Sequence, residues 1–149
     1  MGVVIRKPRF RAVAGDEAYQ WFKMYNVDSS NLTVHIVEVK INDLPPSSAF
    51  SSAPRSGYPA SNAIDGSLAS FFITDENVGC WLAVKMGSPV SLEKLSLYPR
   101  TDLVMRLWEY GFNLSGSNDS TNGSDGTWTL IASGLTRSDD AARWHEWTF

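Results

Sequence analysis

Along much of this chain apolar and polar side chains alternate with a period of two, the spacing that sets successive residues on opposite faces of a sheet. Residues 92–98 oppose Leu95 and Leu97 to Ser96 and Tyr98, and residues 81–86 alternate up to the breaker Gly87-Ser88-Pro89. Residues 143–149 set Trp144, Glu146 and Thr148 against His145, Trp147 and Phe149. In residues 32–41, Leu32, Val34, Ile36 and Glu38 fall on one side and Thr33, His35, Val37, Val39 and Ile41 on the other. That pattern predicts one strand, with His35 on the sheet surface. Residues 19–26, YQWFKMYN, fit two periods. Ala18, Trp21, Phe22 and Tyr25 would share a helical face, but the segment is short and aromatic, which favours a strand. Residues 111–115 and 128–131 complete the set.

Turn chemistry separates these runs. Asp28-Ser29-Ser30-Asn31 reads as a turn, and residues 42–62 are loop-rich, with Pro45-Pro46, a serine cluster, Pro54, Gly57 and Pro59. Pro99-Arg100-Thr101-Asp102 ends a strand, and residues 103–110 form either a helical turn or a loop packed by Leu107 and Trp108. Residues 115–126, SGSNDSTNGSDG, are a polar excursion leading into a further strand. Residues 1–15 join no pattern and form either an arm or a first short strand, which leaves 16–149 as one domain. Many short strands, long polar connections and no long helix predict an all-β fold, a sandwich or jelly roll.

Composition narrows the classes. An apolar content of 43% with six Trp, seven Phe and five Tyr specifies a folded core. A net charge of −3 gives no basic footprint for nucleic acid, and no apolar run approaches the roughly 18 residues of a membrane span. The start, MGVVIRKPRFR, is basic without the apolar run of a secretory signal. Cys80 is the lone cysteine, so neither an intrachain disulfide nor a cysteine zinc cluster can form, and its apolar neighbours predict a buried thiol. Catalytic signatures are absent: no G-x-S-x-G elbow, no H-E-x-x-H pair, no phosphate-binding glycine loop and only two histidines. A non-enzyme is expected.

Three landmarks occur in one order: SGYPASNAIDGSLASFF, then WLAVKMGSP followed by LSLYPRTD, then SDGTWTLIASG. This order resembles the discoidin, or coagulation-factor C-type, domain of the galactose-binding-like β-sandwich superfamily, over about residues 47–149. The family's usual Thr, Trp and Asp are replaced here by Ser70, Phe72 and Met86. The resemblance implies a structural Ca2+ held by the Asp65 carboxylate, carbonyls near Asn62 and Ser67, the Ser70 hydroxyl or carbonyl, and Glu146 from the last strand. On the residues alone, Asp65-Gly66 is equally a turn whose carboxylate accepts backbone N–H bonds. The resemblance also implies a sugar site among loops at one end of the sandwich, with Asp75, Asn77, Arg100, Asp102, Arg106 and Trp108 as the candidates. Their other reading is a loop ion pair between Arg100 and Asp102 and a core plug at Trp108. The front end, YQWFKMYNVDSSNLTVHIVEVKIND with its Ile36-Val37-Glu38 step, is similar to galactose-binding-like domains of bacteriophage tail and other virion proteins. That likeness implies a virion component made in bacterial cytoplasm, partnered by other virion proteins or by copies of itself, with cell-surface glycan as a further partner. The alternative is a bacterial carbohydrate-binding or adhesion module outside any virion.

Overall fold

Strand β1 (Ala18–Asn26) lies at the centre of a five-stranded antiparallel sheet in this computed structural model, which describes residues 17–26, 34–75, 79–99, 111–136 and 142–149. The other strands are β2 (His35–Ile36), β3 (Glu38–Ile41), β4 (Ser48–Ser51), β5 (Phe72–Ile73), β6 (Trp81–Ser91), β7 (Lys94–Tyr98), β8 (Phe112–Ser117), β9 (Thr129–Leu135) and β10 (His145–Thr148). The large sheet runs β4-β6-β1-β8-β9, a second runs β10-β7-β3, and β2 pairs with β5. The architecture is the all-β galactose-binding-like sandwich.

The core fills the space between the sheets. Phe22, Met24, Leu82, Val84 and Leu114 of the large sheet meet Val39, Ile41, Leu95, Leu97 and Trp147 of the smaller one in a single apolar cluster. Phe112 and Trp147 bridge the layers edge to face at 5.4 Å. The opposite face of β1 is covered as well: Trp21 packs against Phe50 with ring centroids 5.3 Å apart. Fully buried Trp21, Phe22 and Met24 each contribute roughly 1.5–3 kcal/mol of apolar burial, so β1 anchors both faces. Tyr19 rejoins the core by lying over Gly116, where a Cβ would stand 2.4 Å from the Tyr19 ring. Cys80 is buried, in agreement with its sequence context.

Three expectations need correction. Residues 32–41 do not form one strand: the chain breaks at Val37 between β2 and β3, which resets the alternation. With β2 paired to β5 and β3 to β7, residues 34–39 are all buried, His35 among them, so His35 is not a sheet-surface residue. The segment Gly87-Ser88-Pro89 is not a strand end. The register jumps from Tyr19↔Val90 to Trp21↔Lys85, so these residues swell into a bulge within β6. β4 pairs with β6 only as far as Lys85, which leaves the edge at Pro89 free of ladder bonds that proline could not make. Finally, the loop-rich stretch 42–62 contains β4 and a 3-10 turn at Ala60–Ala63. The arm expected over 1–15 and the turn or loop over 103–110 lie outside the described residues.

Candidate functional site

The polar excursion folds back onto the outer face of the large sheet. Asp125 organises it: Oδ1 accepts from the Ser120 hydroxyl at 3.0 Å and from the Thr121 and Asn122 amides at 2.7 and 3.3 Å, while Oδ2 accepts from the Thr121 hydroxyl. These bonds, the Thr121 hydroxyl first, hold the Asp125 carboxyl far below the usual carboxylate range. Asp119 acts in the same way, accepting from the Thr127 amide at 2.7 Å and the Ser117 hydroxyl at 2.9 Å. Gly123 is the contact point. It has φ +84°, and a Cβ there would sit 2.7 Å from the Ala83 Cβ and 2.8 Å from the Trp81 ring. Only glycine allows the loop to approach the sheet this closely.

The approach creates a cleft of about 320 Å³ lined by Lys23, Tyr25, Trp81, Ser115, Trp128 and Leu130, with Gly79 at its edge. Alternation along β1 sends Trp21, Lys23 and Tyr25 outward, and register places Lys23 beside Ala83 and Ser115, and Tyr25 beside Trp81. The Lys23 ammonium lies 4.0 Å from the centroid of Trp128 and 5.3 Å from that of Trp81, and it donates to the Gly123 carbonyl at 3.0 Å. Burial pushes its pKa below the ordinary lysine value. Tyr25 and Ser115 hydroxyls sit 3.2 Å apart in the wall, and the Trp128 indole N–H is fixed by the Asp125 carbonyl at 2.9 Å. Indole and phenol faces beside directed hydroxyl and ammonium donors form a surface of the kind that grips a pyranose: apolar ring faces to pack, polar groups to orient.

The Asp65 loop stands against the smaller sheet. Asp65 Oδ1 accepts from the Ser67 amide at 2.9 Å and Oδ2 from the Ser70 hydroxyl. Desolvation pushes the Asp65 carboxyl up, but those bonds outweigh it and hold the group below its ordinary value. Gly66 N–H donates to Oε1 of buried Glu38 at 2.9 Å. Burial first, and then the adjoining Asp65 carboxyl, push the Glu38 pKa up to about 7. Two carboxyls in contact cannot both ionise cheaply, so the pair favours keeping a proton below about pH 7. Its donors are all hard oxygens, which suits Ca2+, with Glu38, Asp65 and Ser70 as the side chains that would hold it. Among the described residues no group of three or more His, Cys, Asp or Glu gathers.

The structure brings together only part of the set expected from sequence. Asp65, Ser67 and Ser70 meet in one turn, and Asn62 stands beside it, donating to the Phe71 carbonyl at 3.1 Å. Glu146 does not join them. It pairs with Ser96, two strands from β3, and its carboxylate lies 3.4 Å from Lys94, which also holds Asp43 at 2.7 Å. The second carboxylate of the loop is Glu38. Of the expected sugar contacts, Asp75 forms an exposed ion pair with Arg55 at 2.8 Å. Asn77, Arg100, Asp102, Arg106 and Trp108 lie outside the described residues. The cleft residues were missed, although one signal was available: Lys23 is a lone cation on the outward alternation of an aromatic strand, flanked by Trp21 and Tyr25.

No curated protein and no solved structure gave a significant match to the chain. A family model does match, the F5/8 type C domain, over residues 47–149. That span takes in the Asp65 loop, both cleft tryptophans and the excursion that closes the cleft, and it starts after the segment 19–43 on which the likeness to virion proteins rests. With the sandwich and its loops in place, this chain belongs to the F5/8 type C, or discoidin, domain family.

Proposed function

We propose that the protein is a non-catalytic carbohydrate-binding module that seats a saccharide in the cleft between Trp81 and Trp128. One observation carries this reading: on a discoidin-type sandwich, two indoles and the Tyr25 ring converge with the Ser115 hydroxyl and the Lys23 ammonium around a space large enough for a sugar ring. A screen of immobilised glycans, with wild type beside Trp128→Ala and Trp81→Ala, tests it. Selective binding that falls at least tenfold in both variants is the expected result. An absence of binding to any glycan, or binding indifferent to both substitutions, would sink the reading.

A bound Ca2+ at Glu38 and Asp65 would serve the same module by fixing the loop, a reading supported by the adjoining carboxyls. The finer expectation, that the module is a virion part attaching to host glycan, rests on the resemblance of residues 19–43. Its alternative is a bacterial adhesion module outside any virion; glycan binding is intrinsic to that module and an added property of a virion part.

A further inference from the structure

The cleft has a charge that its own walls do not neutralise. Of the three N–H groups of the Lys23 ammonium, one is taken by the Gly123 carbonyl, and among the described residues no carboxylate pairs with it. The two acids nearest in sequence to its loop contact are committed elsewhere: both Asp125 oxygens and the Asp119 Oδ1 accept from amides and hydroxyls of their own turn. The neighbouring outward positions of the sheet, Trp21, Tyr25, Trp81, Ala83, Lys85 and Ser115, add a second cation and no anion. Aromatic faces attract an ammonium but leave it able to accept a counter-charge from the open side. Burial has already lowered its pKa, so an arriving anion would restore what desolvation removes.

From this geometry we infer that the cleft selects acidic saccharides, with the Lys23 ammonium pairing a sugar carboxylate while Trp81 and Trp128 flank the ring and Tyr25 and Ser115 meet its hydroxyls. This rests on the glycan-binding reading above and adds the ligand class. A free uronate carboxylate offers a charge-assisted hydrogen bond that the matching neutral sugar cannot supply.

Calorimetric titration with methyl α-D-galacturonoside and methyl α-D-galactoside, and with the corresponding glucuronoside and glucoside, tests the inference. Expected is an affinity about tenfold higher for at least one uronide than for its neutral partner. Lys23→Met should bring that ratio close to one, and Lys23→Arg should retain it. Melting curves of both variants show whether the fold persists, and if Lys23→Met does not fold, the ratio in wild type and Lys23→Arg at 50 and 500 mM salt decides. Equal affinity for uronide and neutral sugar would overturn the acidic class and leave the glycan reading standing. No affinity for any of the four, combined with a blank glycan screen, would overturn both. A uronide preference that survives Lys23→Met would overturn the role given to Lys23.

Discussion

The Asp65 loop and the Asp125 loop are built alike and cover opposite kinds of charged group. Each is a short polar turn with a glycine beside its aspartate, and in each the carboxylate collects an amide and a hydroxyl from the next few residues, in Asp125 from the preceding few. They differ in what lies on the sheet beneath. Under the first is buried Glu38, so a second carboxyl adjoins the loop's own; under the second is Lys23, so a cation is left facing a cleft. Turn chemistry therefore sets the shape of both loops, and one strand residue sets the charge that each loop covers.

Substitutions that act on one loop and spare the other sharpen this contrast. The largest effect is expected from Gly123→Val, which demands a side chain at φ +84° where even a Cβ meets Ala83 at 2.7 Å. Denaturant unfolding should show a loss of about 2–4 kcal/mol, and saccharide binding should vanish with the loop displaced. Any Ca2+ response of wild type, measured as a shift in melting temperature, should be unchanged in the same variant.

Glu38→Gln acts on the other loop. Because the folded-state pKa of Glu38 is raised to about 7, its native form keeps a proton that the unfolded chain has released. That contribution is complete below the unfolded value near 4.5 and is lost as pH climbs through about 7. Wild type should lose stability across this window, by up to about 3 kcal/mol, and Glu38→Gln should flatten the profile. A profile equally steep in the variant would assign the titration to another group. If the pair holds Ca2+, the metal should raise the wild-type melting temperature by a few degrees, about 2–4 °C, at pH 7.5 and less at pH 5.5, with no rise in Glu38→Gln.

The smallest effect belongs to Glu146→Gln. Among the described residues its exposed carboxylate reaches half-buried Lys94, so melting temperature and any Ca2+ response should both stay at the wild-type values. A lost Ca2+ response would return Glu146 to the metal site and remove the reason for preferring Glu38.

Local features were legible in the sequence, and long-range ones were not. Alternation located β6, β7 and β10, and short aromatic or apolar runs between turn signals located β1, β8 and β9, because both are properties of a few neighbouring residues. The Asp65-Gly66 turn and the 115–126 excursion were readable for the same reason. What escaped was pairing across the chain: Gly66 with Glu38, 28 residues apart, and Gly123 with Lys23, 100 residues apart. Glu38 sat in a run of Val and Ile that read as ordinary strand, and nothing local announced that an Asp-Gly turn would cover it. The bulge at Gly87-Ser88-Pro89 misled because glycine and proline usually end strands, whereas here the unpaired side of β6 accommodates them.

The position of β1 at the centre of the large sheet has a consequence for how this domain could be divided or recombined. The stretch matched to the family supplies β4, β6, β8 and β9 but not the strand between β6 and β8. A fragment trimmed to residues 47–149 would face the solvent with two unzipped ladders, templates for joining other copies edge to edge. It would also lack Lys23, Tyr25 and Glu38, and with them the charged strand residue beneath each loop. Transplanting a different opening segment onto the same body is accordingly a way to change the charge beneath both loops while the loops keep their shape.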